Sequence, residues 1–298
     1  MFSCSLCPRQ CAATRGTDHG DGFCGLPETA YLAHAALHTG EEPCLGTAGA
    51  IFFAGCTLRC AYCQNHTISR KAAGNPVTAQ RLSDVFRDLC DQGANVIDLV
   101  SPTPYLPIIR KALLLYRPPV PVVYNTSGYE RTEILRSLEG LIDVYLPDLK
   151  YVTSALATDL SGAADYPQYA LPAIREMVRQ TGTMTIGDNG IAIRGTLVRH
   201  LVLPGHTKES LAVLDALAKI PDIWVSLMSQ YTPVVPVDGH PELSRRVTKR
   251  EYEKVTDHLF ALGMTNGYLQ DRASATTAYI PAFDGTGVPF RSVYTTQL

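Results

Sequence analysis

From Ala50 onward, short apolar runs alternate with amphipathic stretches. Apolar runs lie at 50–54, 96–100, 121–124, 142–146, 196–203 and 224–228. Several are continuous, the pattern of parallel strands covered on both faces. Between them, residues 78–92 place Leu82, Val85, Phe86 and Leu89 at i, i+3, i+4 and i+7, which predicts a helix with one buried face. The stretches 106–116, 169–181 and 208–218 read similarly. Thr248-Lys249-Arg250-Glu251 is a capping-box pattern that opens a last helix running to about Leu262. Residues 184–194 predict a β-hairpin turning at Asp188-Asn189-Gly190. Such alternation predicts an α/β fold of parallel βα units. About six units make a partial (β/α)6 TIM-like barrel, with its active site at the C-terminal ends of the strands.

Residues 1–30 break this rhythm. They are rich in Cys, Gly and polar side chains, with neither helical nor strand period. So short a stretch cannot bury enough apolar surface to fix itself, so it reads as a small metal-stapled lobe. The expected division is a Cys-rich N-terminal metal-binding lobe over 1–45 and the barrel, with a C-terminal extension, over 46–298.

Composition adds one decisive number. The 298 residues are 46% hydrophobic and 18% charged, ordinary for a soluble α/β protein, and the formal net charge of −2 gives no reason to expect a nucleic acid partner. No apolar run reaches bilayer-spanning length, and residues 1–8 lack the regions of a signal peptide, so a cytosolic location without a membrane partner is expected. The informative number is nine cysteines, at 4, 7, 11, 24, 44, 56, 60, 63 and 90. In a reducing compartment, closely spaced cysteines point to metal ligation rather than a disulfide framework.

Gly55-Cys56-Thr57-Leu58-Arg59-Cys60-Ala61-Tyr62-Cys63-Gln64-Asn65 directly follows the first buried run, so it forms the loop at that strand's C-terminal end. Its spacing, C-x3-C-x2-C, supplies three thiolates with no obvious fourth. A structural zinc site wants four closed ligands. A cubane cluster on three cysteines instead leaves one iron with an open position. A zinc knuckle, or an electron-transfer cluster that borrows a distant cysteine, is the plainer alternative.

The motif resembles the signature of the radical S-adenosylmethionine (SAM) superfamily, in which the residue before the third cysteine is aromatic and packs toward the adenine, the place of Tyr62. The resemblance runs from about His38 to Asp271 and is nearest to relatives of the pyruvate formate-lyase activating enzyme, through CSLCPRQC, LHTGEEPC, CAYCQN, LVSPTPY, VYLPDLK, VRHLVLPG and MSQYTP. It implies a radical SAM barrel, a [4Fe–4S] cluster on Cys56, Cys60 and Cys63, and SAM bound at the open iron. It implies an external electron donor of the flavodoxin or ferredoxin type. The substrate would be a glycyl radical enzyme or another protein, or a small molecule, peptide or RNA modified directly. A bare iron–sulfur electron carrier is the non-enzymatic alternative.

The same resemblance places Tyr62 and Asn65 at the SAM pocket. Ser101-Pro102-Thr103-Pro104 stands where relatives carry a Gly-Gly-Glu-Pro-like turn that takes the SAM amino group. Asn125-Thr126 matches a turn that begins with aspartate in the activating enzymes, and Asp148-Leu149-Lys150 matches their Asp-Leu-Lys. Lys150 is thereby a partner for the SAM carboxylate. Asp148, Asn125 and Thr126 could together hold a monovalent cation. Arg199 is expected to face the SAM ribose or carboxylate, and Gln230, with Tyr231, the adenosyl group.

Cys4-x2-Cys7-x3-Cys11-x12-Cys24 offers four further thiolates, a complete set for structural zinc or equally for a second iron–sulfur cluster. Cys44 and Cys90 read as small buried hydrophobes. His38, Glu41 and Glu42 carry no assigned role, and His200 and His206 read as structural.

Overall fold

The computed structural model describes residues 3–221, 223–277, 280–281 and 283, with the side chain of residue 272 excepted; the C-terminal extension past 283 lies outside the described residues. Its strands are β1 (Ser3–Cys4), β2 (Ala13–Thr14), β3 (Ala30–His38), β4 (Ala48–Phe53), β5 (Asn75–Val77), β6 (Val96–Val100), β7 (Val122–Thr126), β8 (Val144–Pro147), β9 (Thr185–Ile186), β10 (Ala192–Leu201), β11 (Trp224–Met228) and β12 (Gly267–Leu269). The helices are α1 (His66–Ser69), α2 (Ala79–Asp91), α3 (Leu106–Leu115), α4 (Thr132–Arg136), α5 (Ser154–Ser161), α6 (Tyr166–Thr181), α7 (Thr207–Leu217) and α8 (Lys249–Ala261). The large sheet runs β12-β11-β10-β8-β7-β6-β4-β3-β5, with β9 beside β10.

All six predicted strands are present and pair in parallel, from β4 with β6 to β10 with β11. The sheet exceeds the expected six by a seventh parallel strand, β12, on the far side of β11. Gly267-Tyr268-Leu269 is too short and too mixed to announce itself by pattern. The predicted hairpin forms as β9 against β10, with Gly190 left-handed at its turn. Helix α6 starts at Tyr166, three residues earlier than the apolar period suggests, because Pro167 suits the first turn of a helix. Thr248 and Glu251 make the reciprocal capping box at the start of α8.

The second difference is β3. Periodicity left this segment in the Cys-rich lobe, yet it pairs antiparallel with β4 from Leu32 to His38 and with β5 on its other side. Its sequence, AYLAHAALH, is alanine-rich and weak in β propensity, so tertiary pairing decides its state. The large sheet therefore begins at Ala30, within the 1–45 segment.

Two apolar layers cover the outside of the sheet. Leu82, Phe86 and Leu89 of α2 and Ile109 of α3 pack on Ile97, Leu99 and Tyr124. Ile174 of α6, Val213 of α7 and Val255 of α8 pack with Val198 and Val225. Each such fully buried side chain contributes about 1.5–3 kcal/mol.

The inward positions change character along the strands. At the N-terminal side Val96, Val123, Val144 and Leu197 cluster as a dry plug. Two residues further on, Asn125 and Arg199 line a cavity, with Asp98 buried beneath and hydrogen-bonded to Asn125. With a side-chain period of two, one face of each strand passes from core to polar site. Among the described residues, no helix is long and apolar enough to cross a membrane.

Candidate functional site

The central cysteine loop is held at both ends by the barrel. After β4, Gly55 takes a left-handed conformation, and a Cβ there would stand 2.3 Å from the Leu26 side chain, so glycine is required. Its N–H donates to Ile68 O, while Arg59 and Ala61 N–H groups donate to Ser161 O and Leu160 O at the end of α5. Cys56, Cys60 and Cys63 emerge on the wall of a cavity of about 500 Å³, with Tyr62 and Asn65 beside them. Burial pushes the Cys56 thiol up to about 12, with Cys60 nearby adding to it, and burial also raises Cys60. A bound cation would offset that cost and favour the thiolates.

Tyr62 belongs to a buried chain of hydroxyls. Its OH lies 2.6 Å from Tyr151 OH, Tyr151 OH lies 2.9 Å from Ser161 Oγ, and Ser161 Oγ donates to Cys60 Sγ at 3.0 Å. Tyr231 packs edge-on against Tyr62 at 6.3 Å. Tyr151 stands one residue past the Asp-Leu-Lys turn and was missed for that reason. Ser161 is far from Cys60 in sequence and carries no local signal.

The strand-end residues divide. Ser101, Asn125, Thr126, Asp148, Lys150, Arg199 and Gln230 all line the cavity. Ser101 is left-handed at φ 58°, a conformation that glycine takes more cheaply. Pro102 and Thr103 are not among the lining residues: Pro102 caps a 3-10 turn, and the Thr103 hydroxyl donates to Glu130 Oε1 at 2.5 Å. The Thr126 hydroxyl also donates to Glu130 Oε1, at 2.5 Å. Glu130 is wholly buried, and burial pushes its carboxyl up to about 7 despite those donors.

Lys150 Nζ sits 2.5 Å from Asp148 Oδ2. Burial alone would lower the lysine, but the attraction of Asp148 and Cys60 outweighs it and holds the ammonium well above its ordinary range. Gln230 is fixed by Gln270, whose amide donates to its Oε1 at 2.8 Å.

Arg199 reaches the cavity paired with two carboxylates from the turn after β3. Its Nε donates to Glu42 Oε1 at 2.8 Å, and its Nη2 bonds both Glu41 and Glu42. Burial would raise Glu42, but the guanidinium outweighs it and holds the carboxyl below its usual range. Asp98, by contrast, is pushed well up, first by burial and then by Glu41. Glu41 and Glu42 had no assigned role. They come from 158 and 157 residues away, a pairing invisible to spacing.

Cys4, Cys7 and Cys11 sit on the small β1–β2 hairpin, which lies against the strand ends, and Cys24 lies in the stretch between β2 and β3. Arg15 Nη1 donates to Pro104 O at 2.5 Å, Arg131 Nη1 to Ser5 O at 2.6 Å, and Arg9 Nε to Thr57 O at 3.2 Å. Arg9 also stacks on Phe23 at 3.8 Å. Cys7 is pushed up to about 12, mainly by burial, with Glu130, Cys24 and Cys4 close enough to add. Cys11 is exposed and flanked by left-handed Gln10 and Ala12. All nine thiols are free; Cys44 is buried, and half-buried Cys90 packs against the core.

Residues 50–218 match the family model of the radical SAM superfamily. The chain belongs to that superfamily. A relative from Methanocaldococcus jannaschii, an uncharacterized protein, is 30% identical over 268 residues, covering 86% of this chain and 73% of its own length. Streptococcus suis SuiB bound to S-adenosylmethionine superposes with a TM-score of 0.52 at 14% identity, over 73% of this chain and 48% of SuiB. SuiB bound to its precursor peptide SuiA gives 0.52 at 16% identity, over 73% and 47%. This chain thus spans about half the length of SuiB, and the likeness is one of fold.

A radical SAM family implies a [4Fe–4S] cluster and SAM, and the residues present fit both. Three thiols share the cavity wall with no fourth cysteine lining it. Asn65, also on that wall, leaves Oδ1 buried without a hydrogen-bond partner. A polar atom in that state costs about 1–3 kcal/mol unless something else engages it.

Proposed function

We propose that this chain is an oxidoreductase that holds a [4Fe–4S] cluster on Cys56, Cys60 and Cys63 and binds SAM in the 500 Å³ cavity beside it. When bound, the cluster and SAM supply reductive cleavage of the sulfonium to methionine and a 5′-deoxyadenosyl radical that takes hydrogen from a substrate. The observation that carries this reading is the set of three thiols, lacking a fourth, at the end of β4 and on the wall of a SAM-sized cavity. The chain's own side chains position and shield. Tyr62 forms the adenine wall, and Lys150 offers its ammonium to the SAM carboxylate. Ser101, Asn125, Thr126 and Gln230 line the remaining faces, and Asp148 could share a monovalent cation with Asn125 and Thr126. An electron donor of the flavodoxin or ferredoxin type would serve it, in a reducing cytosol that keeps the nine cysteines out of disulfides. The four N-terminal cysteines would hold structural zinc or a second cluster.

For substrate, the resemblance to the pyruvate formate-lyase activating enzyme favours a backbone glycine on a partner enzyme. A second reading, direct modification of a smaller molecule, is favoured by the wall of Arg199, Glu41 and Glu42. That wall places one guanidinium and two carboxylates inside the cavity, suited to a compact polar ligand. Anaerobically reconstituted protein given SAM and dithionite should form 5′-deoxyadenosine; none formed would overturn the proposal. A glycyl EPR signal on an added glycyl radical enzyme would select the first reading. Its absence across candidate enzymes, with 5′-deoxyadenosine still produced, would select the second.

A further inference from the structure

We propose that His206, His240 and Glu242 form a binding site for a zinc-class divalent cation, outside the SAM cavity and independent of both cysteine sets. The three come from loops at the same end of the sheet. His206 precedes α7 after β10, and His240 and Glu242 lie in the long connection after β11. Their ligand atoms all fall within 4.8 Å of one another. His206 Nε2 is 3.1 Å and His240 Nδ1 is 3.0 Å from the same oxygen, Glu242 Oε1. Zinc bonds of about 2.0–2.1 Å at tetrahedral angles put neighbouring ligand atoms about 3.3 Å apart. The arrangement therefore needs only small side-chain adjustments to close on a cation.

A second observation points the same way. The other ring nitrogen of His240, Nε2, lies 3.1 Å from Asp159 Oδ2 on α5. A metal-ligating histidine nearly always donates its remaining N–H to a carboxylate or carbonyl, which fixes the tautomer and orients the ring. His240 thus carries both halves of a carboxylate–histidine–metal relay. The backbone is fixed to match. His206 N–H bonds Leu203 O, Leu243 N–H bonds His240 O, and left-handed Gly205 lies so close beneath Glu242 that a Cβ would meet its Cγ at 2.8 Å. The side chains of His206, His240 and Glu242 are 15–27% exposed, enough for a cation to enter and for water to take the fourth position.

A cation here would tie the His206 loop to a turn and, through Asp159, to a helix that both touch the radical site. Helix α5 carries Asp159 and ends at Ser161, the donor to Cys60. The Glu242 turn carries Leu243, whose carbonyl accepts from Tyr231 OH at 2.6 Å, and Tyr231 packs on Tyr62. The role of the cation is to staple these loops, replacing the protons now shared between the imidazoles and Glu242.

The test is zinc content and zinc K-edge absorption of the full chain after iron–sulfur reconstitution, with Zn²⁺ as the probe. The wild type should show a zinc shell of nitrogen and oxygen at about 2.0–2.1 Å, distinct from sulfur at about 2.3 Å. His206→Ala/His240→Ala should lose one equivalent of zinc while keeping its iron. Asp159→Asn should weaken zinc binding about 10–100-fold. His258→Ala, which breaks a similar His–Asp pair with Asp215 elsewhere, should change nothing. Equal nitrogen- and oxygen-bound zinc in wild type and the double variant would overturn the proposal. So would a wild-type spectrum with sulfur ligands only or with no zinc, which decides the matter even if the double variant misfolds.

Discussion

Cys56, Cys60 and Cys63 hang from the end of a fully buried strand, whereas Cys4, Cys7 and Cys11 hang from a hairpin whose strands are two residues each, and Cys24 from the stretch that follows it. The central loop is tied down by backbone bonds to α5 and by the Tyr62–Tyr151–Ser161–Cys60 chain. Among the described residues the lobe has a core of Cys4, Leu6 and Ala13 against half-buried Ile134, and two non-glycine residues beside Cys11 sit in left-handed backbone. Such strain persists only when the surroundings over-determine it. The barrel holds its thiol loop by its own hydrogen bonds, while the lobe has a far smaller core to hold its thiols in place.

The largest effect should come from the central site. Cys60→Ala should abolish 5′-deoxyadenosine formation, yet in metal-free protein its melting temperature should stay within about 2–4 °C of wild type. A collapse of the fold would break the contrast. Next in size is the lobe. Stripping metal with a strong chelator should speed amide exchange across residues 3–27 while β4 to β8 remain protected. Equal protection before and after would mean that the hairpin stands by itself.

Glu130 lies beneath the lobe, near Cys7. Its carboxyl is pushed from an ordinary 4.5 to about 7 in the folded protein, so between those values the native state holds a proton that the unfolded chain has lost. Stability should therefore fall as pH rises through that window, by about 3 kcal/mol in all. Glu130→Gln should flatten that part of the urea-unfolding profile; an unchanged slope would remove Glu130 as its source.

The smallest effect should be electronic. Ser161→Ala removes a hydrogen bond to Cys60 Sγ. If that bond favours the reduced cluster by about 1 kcal/mol, its loss lowers a one-electron potential by roughly 40 mV. A potential measured unmoved would mean that the serine only packs.

What could be read from sequence follows from how local each signal is. The central triad, the capping box at Thr248 and the buried runs of β4, β6 and β11 are contiguous patterns with a physical period. Strand β3 was hidden because AYLAHAALH suits helix as well as strand until β4 lies beside it. The Arg199–Glu42 pair and the Ser161–Cys60 bond join residues 157 and 101 positions apart, and only the folded chain brings them together. Thr103 shows the converse. It stands just past the end of β6, but it does not line the cavity, and its hydroxyl donates to Glu130.

The chain of hydroxyls beneath the cavity also has a direction. A cysteine sulfur that has lost its proton can only accept, so Ser161 must give its hydrogen to Cys60 and take one from Tyr151. Tyr151 in turn must take one from Tyr62. Every O–H then points toward the sulfur, and the oxygen of Tyr62 is left with lone pairs alone for any further neighbour. The charge state of one thiol is thereby written into the direction of the Tyr62 O–H, three hydroxyls away.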